Sequence, residues 1–490
     1  MSLSDAELIE RQTEHGLLIA FGEFAQHTRL ISGLMSVRIP QKVLHKVGAV
    51  PPQTKLVELY AGLLAGIEYL QDLSLGHHPL AKDQAVAETW SQARFVHYSN
   101  VSRTLEACDQ TTIENLHTVI ERFTEPFIAE AIHDELRAGR ELVFDLDLMG
   151  QPVNSTSQSY PDVGFGWMDN QIRLGYQLAR VCVLTARYGR IWLDGFHHPG
   201  DTVSVNGLKA LVLAAEQQAG VRPRRRPELG VQRSENVQPA IQRLEGLCVR
   251  HATALTNLPA KLNRRLGQLD YREHTLRQLA DSARKEPISS QISTIRRRCD
   301  KIQSQLTMRR AVLARQQERL RRLLAERERL QTWCAQLEAD NRLNPNPPRC
   351  VCRADAGFCS GENLTWQIEM GYQVETKSTS GKITVALQTY CSPQTPWVRV
   401  GDNAEMTDWN NYHRKECPYP LRVGLERFTL GQPTKPSVLV MYRDAPHQPA
   451  LVEWFMHYNG RQIIEAGNKQ MKTVHHVNTF ANQRAFIVPS

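Results

Sequence analysis

The 490-residue sequence contains no apolar run approaching the roughly 18 to 20 residues that a membrane-spanning helix needs. A membrane-embedded transporter or channel is therefore not expected. The opening stretch, Met1 to Glu10, is polar and acidic, without the cationic and apolar regions of a secretory leader. Ten cysteines are present, but none stands in the paired spacing of a disulfide scaffold or a zinc ribbon. These absences point to a cytoplasmic protein with free thiols and no membrane partner. A negative balance is also missing. The formal net charge is +8 and the pI about 9.0, which favours a polyanionic partner without specifying one. The length allows about two to four domains with a large core.

Residues 1–138 read as a helical region. The apolar periodicity of Leu56 to Leu73 predicts a helix, and further helices fit Leu80 to Ala93, Val101 to Cys108 and Thr112 to Ala138. The last is expected to stop at Gly139. Between them, His97 to Leu105 opens with hydroxyl and amide residues that can cap a helix or touch phosphates.

At Glu141-Leu142-Val143-Phe144-Asp145-Leu146-Asp147 the pattern changes to a short β-branched and aromatic run ending in acid, a buried strand. Asp145 and Asp147 are two apart and share a strand face. Carboxylates at a strand end can reach a metal, although an acidic strand end is more often a simple turn. A β-hairpin is expected around Val181 to Leu193. It leads to Gly195-Phe196-His197-His198-Pro199-Gly200-Asp201-Thr202, where the adjacent histidines could ligate a metal but on a loop are more often surface residues. A helix over Val203 to Gln218 completes the segment 139–219.

Residues 220–348 form an insertion. The linker Arg222-Pro223-Arg224-Arg225-Arg226-Pro227 leads into helix from about 236 to 284, and Pro287 with Ser289 and Ser290 should break it. A second long helix from about 291 to 341 carries a heptad seam running from Ile295, Cys299, Ile302 and Leu306 to Leu330, Cys334 and Leu337. An antiparallel helical hairpin or coiled coil is the economical picture. Its arginine-rich outer face suits either a solvated arm or one that contacts DNA or dimerises.

The segment 349–380 opens on Arg349-Cys350-Val351-Cys352-Arg353-Ala354-Asp355-Ala356-Gly357-Phe358, a strand running into an aspartate and a glycine turn, followed by a helix to about Met370 and a strand at Gly371 to Lys377. Several β-like runs fill 381–450: Lys382 to Tyr390, Trp397 to Val400, Leu421 to Phe428 and Ser437 to Tyr442. Trp397 and the stretch Tyr412 to Lys415 are candidates for base stacking and equally for β core, the commoner place of any single aromatic. In the last segment, 451–490, Tyr458, Arg461, Glu465 and Lys472 are spaced by 3, 4 and 7, which returns to one side of a helix. A single pair such as Arg461 and Glu465 would be an ordinary helix charge pair. Four specified residue types at three fixed spacings are expected by chance in about a few chains per thousand.

That spacing resembles the Y-x2-R-x3-E-x6-K signature of one large branch of bacterial insertion-sequence DDE transposases. The Arg353-Ala354-Asp355-Ala356-Gly357-Phe358 run is similar to the branch's second-aspartate motif, and Pro199-Gly200-Asp201 to its loop after the third core strand. The resemblance implies an α/β RNase H-like core with an N-terminal helical, DNA-binding region. It also implies a β-rich insertion before the catalytic glutamate helix, to which this chain adds its own helical-hairpin insertion. It further implies Asp147, Asp355 and Glu465 as the catalytic, metal-holding carboxylates, with Asp145 the second choice for the first aspartate. Tyr458, Arg461 and Lys472 become phosphate-binding residues. The cofactor expected is two divalent ions, magnesium by the hardness of the ligands, with manganese able to substitute. Expected partners are double-stranded DNA, as transposon ends and target, and a second copy of the chain. The expected place is the bacterial nucleoid. The implied activity is nicking at inverted repeats followed by strand transfer. Alternatives are a nuclease that does not join strands and an inactive DNA-binding remnant. The remnant is suggested by the eighteen residues that follow Lys472, where members of the branch continue.

Overall fold

The computed structural model describes residues 13–40, 50–153, 162–168, 170–278, 282–378, 380–428 and 436–462. Its contacts divide the chain into two compact units, one built from the residues up to Arg224 and from Asn346 onward, the other from Arg225–Pro345.

The first unit opens with helices α1 (Gly16–His27), α2 (Leu30–Ser36), α3 (Pro52–Ala65), α4 (Asp72–Leu75), α5 (Gln84–Thr89), α6 (Tyr98–Ala107) and α7 (Gln110–Arg137). Leu18, Ala25, Leu34, Val57, Ala61 and Phe95 pack around the fully buried Trp90, whose indole N–H donates to the Leu18 carbonyl at 3.0 Å. Asp109 caps α7 by accepting from the Thr112 N–H at 2.8 Å. Gly139, at φ +68°, takes the left-handed turn that ends it. Two expected helices are shorter than their apolar patterns. The one starting near Leu56 stops at Ala65, because Gly66 adopts φ +75° and reverses the chain. Between Leu80 and Ala93 only Gln84–Thr89 is α-helical, started by Asp83.

A ten-stranded mixed sheet follows. Its strands are β1 (Leu142–Pro152), β2 (Gly164–Met168), β3 (Gln171–Thr185), β4 (Gly189–Pro199), β5 (Cys350–Ala354), β6 (Gln373–Ser378), β7 (Val398–Arg399), β8 (Ala404–Arg414), β9 (Cys417–Phe428) and β10 (Ser437–Tyr442). The order is β2-β3-β1-β5-β6-β10-β9-β8-β7, with β4 also paired to β3. β1, β5 and β6 run parallel; the other pairings are antiparallel. Parallel neighbours require covered faces, and β5 is buried at every residue. The crossover helices α8 (Ser204–Ala219) and α11 (Gly361–Glu369) pack on the sheet, and α13 (Leu451–Asn459) buries Trp454 among Met406, Leu439 and Met441.

Several sequence expectations change here. Gly381–Tyr390 is a helix, α12, not a strand; Ile383, Thr384, Val385 and Tyr390 look strand-forming, but only Leu387 among its residues is buried. The strands after it continue the main sheet through the β6–β10 pairing. β1 does not end at Asp147 but runs on to Pro152 against β3. His197 and His198 lie in β4, paired with Leu178 and Gln177, not in the following loop.

The second unit is an antiparallel hairpin of α9 (Pro227–Gln278) and α10 (Ser282–Arg342). Its direction is fixed by Glu273 with Arg296 near one end and Gln238 with Arg327 near the other. The expected seam is buried at Cys299, Leu306, Leu330, Cys334 and Leu337. Pro287 does not break the second helix. It lies within α10 as its sixth residue, and the helix runs through it. All ten cysteines of the chain are free thiols.

Candidate active site

The sequence sets acid within β1 and just past the end of β5, and the topology makes those strands neighbours. Leu142 through Leu146 pair in parallel with Cys350 through Ala354. β5 stops at Ala354 while β1 continues, so the next residues, Asp147 and Asp355, stand where the sheet opens. Alternation puts Asp145 and Asp147 on one face of β1, and Arg353 and Asp355 on one face of the β5 end.

A third element reaches this opening. α13 ends at Asn459, and Gly460–Gln462 tightens into a 3-10 turn that carries Arg461 inward. Arg461 donates from Nη1 to Asp147 Oδ1 at 3.4 Å and from Nη2 to Asp355 Oδ1 at 3.0 Å. One guanidinium therefore joins the two aspartates. Its Cζ lies 6.0 Å from the ring centre of the buried Tyr458. Arg180 on β3, fully buried and stacked 4.7 Å over Trp192, approaches Asp147 Oδ2 at 3.3 Å.

Burial pushes the Asp147 carboxyl up; Arg461 and Arg180 pull it down and Asp355 pushes it up again, leaving it above the usual carboxylate range. Burial works against the Arg461 cation, but Tyr458, Asp355 and Asp147 outweigh it and the group is held more firmly protonated than usual. Burial raises the Tyr458 phenol, which stays neutral. The Asp355 side chain is 48% exposed, so it is the member of this set that faces solvent.

Asp145 is differently placed. It is fully buried, and both oxygens are taken: Arg353 donates Nε to Oδ1 at 2.7 Å and Nη2 to Oδ2 at 2.8 Å, and Arg190 donates Nε to Oδ2 at 2.8 Å. The same two arginines reach on to the end of α13, Arg353 to the His457 carbonyl and Arg190 to the Gly460 carbonyl. Those carbonyls have no acceptor role left inside the helix, and guanidinium donors also suit the negative end of its dipole. His457 is fixed from its side chain too, by a 2.7 Å contact with the buried Glu375, which Arg443 holds at 2.8 Å. Asp145 thus organises the turn that aims Arg461. Its arginine partners were visible in the sequence only as members of other motifs.

Asp147, Asp355, Tyr458 and Arg461 are brought together from three separated stretches. Glu465 and Lys472 lie outside the described residues. Among the described residues no group of three His, Cys, Asp or Glu stands ready for a metal ion. The donor set nonetheless suits one: two hard carboxylates face a common cation, which is here the guanidinium of Arg461. His197 and His198 do not join this set. No family model matches the sequence, and no curated protein aligns with it significantly.

Proposed function

We propose that this chain is a DDE-type DNA transposase with an RNase H-like core, acting on the phosphodiester backbone at the ends of a mobile element. The observation that carries the reading is Arg461 joining Asp147 to Asp355, since a residue from the C-terminal signature meets both aspartates expected from independent motifs. The adjacent parallel β1 and β5, each leading into one of those aspartates, support the core assignment.

Asp147 and Asp355, with Glu465 from the same signature, are the carboxylates that would hold divalent metal. Bound magnesium supplies Lewis acidity at a DNA phosphate. The chain's own groups do the rest. The Arg461 fork fits two phosphate oxygens as it fits two carboxylate oxygens. Tyr458, neutral and buried against it, limits its swing. Asp145, Arg353 and Arg190 hold the turn on which Arg461 sits. The four arginines 180, 190, 353 and 461 outnumber the three aspartates they contact, a balance that accommodates an anionic substrate.

The test is strand transfer with magnesium on a duplex carrying the inverted repeats that flank this chain's reading frame, comparing wild type with Asp355→Ala. Joined product from wild type alone is expected. Cleavage without joining would make the protein a nuclease. DNA binding with neither would make it a remnant.

A further inference from the structure

The positive charge of the chain is concentrated in one unit. Residues 225–345 hold 25 of the 59 Lys and Arg but 13 of the 51 Asp and Glu, a net +12, which leaves the rest of the chain at −4. The unit is a hairpin whose second helix has 61 residues, about 90 Å of rod at 1.5 Å per residue. Its apolar seam is spent on the partner helix, so the charge lies outside. One outer row is regular. Lys301, Met308, Arg315, Arg322 and Arg329 follow at intervals of seven, all exposed, with no acid among them. In a coiled coil one heptad position stays on one side of the rod, so this row presents four cations along roughly 42 Å. Toward the far end, Arg265, Arg272 and Arg298 line a cleft of about 410 Å³ together with Gln268, Tyr271 and Thr294.

We infer that the helical hairpin is the chain's main electrostatic grip on duplex DNA, running along the phosphate backbone and reading no sequence. The identity of the polyanion rests on the proposed function; the placement of the charge does not. A duplex fits better than a single strand. Single-strand grooves rely on aromatic platforms, and this unit holds only two aromatic residues, Tyr271 and Trp333. A straight row of cationic groups matches a regular line of phosphates, and each phosphate neutralised releases counterions and steepens the salt dependence of binding.

The test is binding of the full-length chain to a fluorescent duplex of unrelated sequence, without divalent metal, across a salt series. Three proteins are compared: wild type, the row variant Lys301→Gln/Arg315→Gln/Arg322→Gln/Arg329→Gln, and a control, Arg187→Gln/Lys209→Gln/Lys382→Gln/Arg399→Gln. The control loses the same charge from exposed positions outside the hairpin. The row variant should bind at least about tenfold more weakly at low salt, and its slope of log affinity against log salt should fall by about 3 to 4. The control should keep the wild-type slope, and far-ultraviolet dichroism should show all three equally helical. Equal losses in both variants, or an unchanged row variant, would overturn the inference. So would tighter binding to a single strand or to anionic vesicles than to the duplex. Because no metal is present, this result stands apart from strand transfer. A hairpin that grips DNA on a protein that never cuts would sink the proposed function alone.

Discussion

Asp145 and Arg353, 208 residues apart in sequence, are joined side by side across β1 and β5 by two hydrogen bonds of 2.7 and 2.8 Å, with both side chains buried. Arg190 is the second cation on the same carboxylate. Removing the carboxylate strands two buried guanidinium groups. Asp145→Ala should therefore cost on the order of 3–5 kcal/mol in urea unfolding, the usual penalty for breaking a buried pair from one side. A loss below about 1 kcal/mol would show that the arginines find other partners.

Asp355 predicts the opposite division between stability and activity. Its side chain is 48% exposed and meets a single arginine arm. Asp355→Asn should change stability by less than about 1 kcal/mol while reducing magnesium-dependent DNA cleavage to background. Cleavage retained by a folded Asp355→Asn protein would remove it from the chemistry.

Arg461 separates two carboxylates that repel once it is gone. In Arg461→Gln, the remaining charge should draw a divalent ion more strongly. Magnesium should then raise the melting temperature of this variant more than that of wild type, by ligand linkage. The double variant Asp147→Asn/Asp355→Asn should show no magnesium response. Identical shifts in wild type and Arg461→Gln would mean that the guanidinium and the metal do not share the site.

Glu58 makes the N-terminal helices sensitive to pH. Its carboxyl is 1% exposed and accepts from the Val96 N–H at 2.8 Å. Burial pushes it up to about 7, against the lowering effects of that hydrogen bond and of Lys55. The folded value is raised, so the native state binds the proton more tightly than the unfolded chain. Stability should therefore rise as the pH falls from about 7 to about 4.5, by on the order of 2–3 kcal/mol, and be flat above 7. Glu58→Gln should be more stable than wild type at pH 8 and lack this slope. A wild-type profile in the variant would place the titration elsewhere.

Much of this arrangement is legible in the sequence because local chemistry and tertiary position agree. The acid that ends an apolar run marks β1 and β5, Gly139 takes the left-handed turn expected after α7, and five seam positions of α10, Cys299, Leu306, Leu330, Cys334 and Leu337, are buried. What was hidden depends on partners distant in sequence. Asp145 and Asp147 look alike along the chain, yet one meets Arg353 and Arg190 and the other Arg180 and Arg461. Spacing alone placed Arg461 on a continuous helix, whereas the helix ends two residues earlier and the 3-10 turn sets its direction. The β-branched residues of α12 suggested a strand that its exposed position did not require. Pro287 suggested a break, yet α10 runs through it.

The two ends of the hairpin unit are tied together. The Arg225 N–H donates to Asn341 Oδ1 at 2.8 Å, Asn341 Nδ2 returns a bond to the Arg225 carbonyl at 3.0 Å, and the Arg225 guanidinium meets Asp340. A chain that must bring Asp145 to Arg353 faces a closure of 208 residues. Once the hairpin has zipped through contacts made turn by turn, 116 of those residues are already bypassed, leaving roughly 92 to close. By loop-closure entropy that shortening is worth about 0.7 kcal/mol. The insertion thus lengthens the chain far more than it lengthens the search, and the aspartate-bearing strands can find each other almost as if the arm were a short connection.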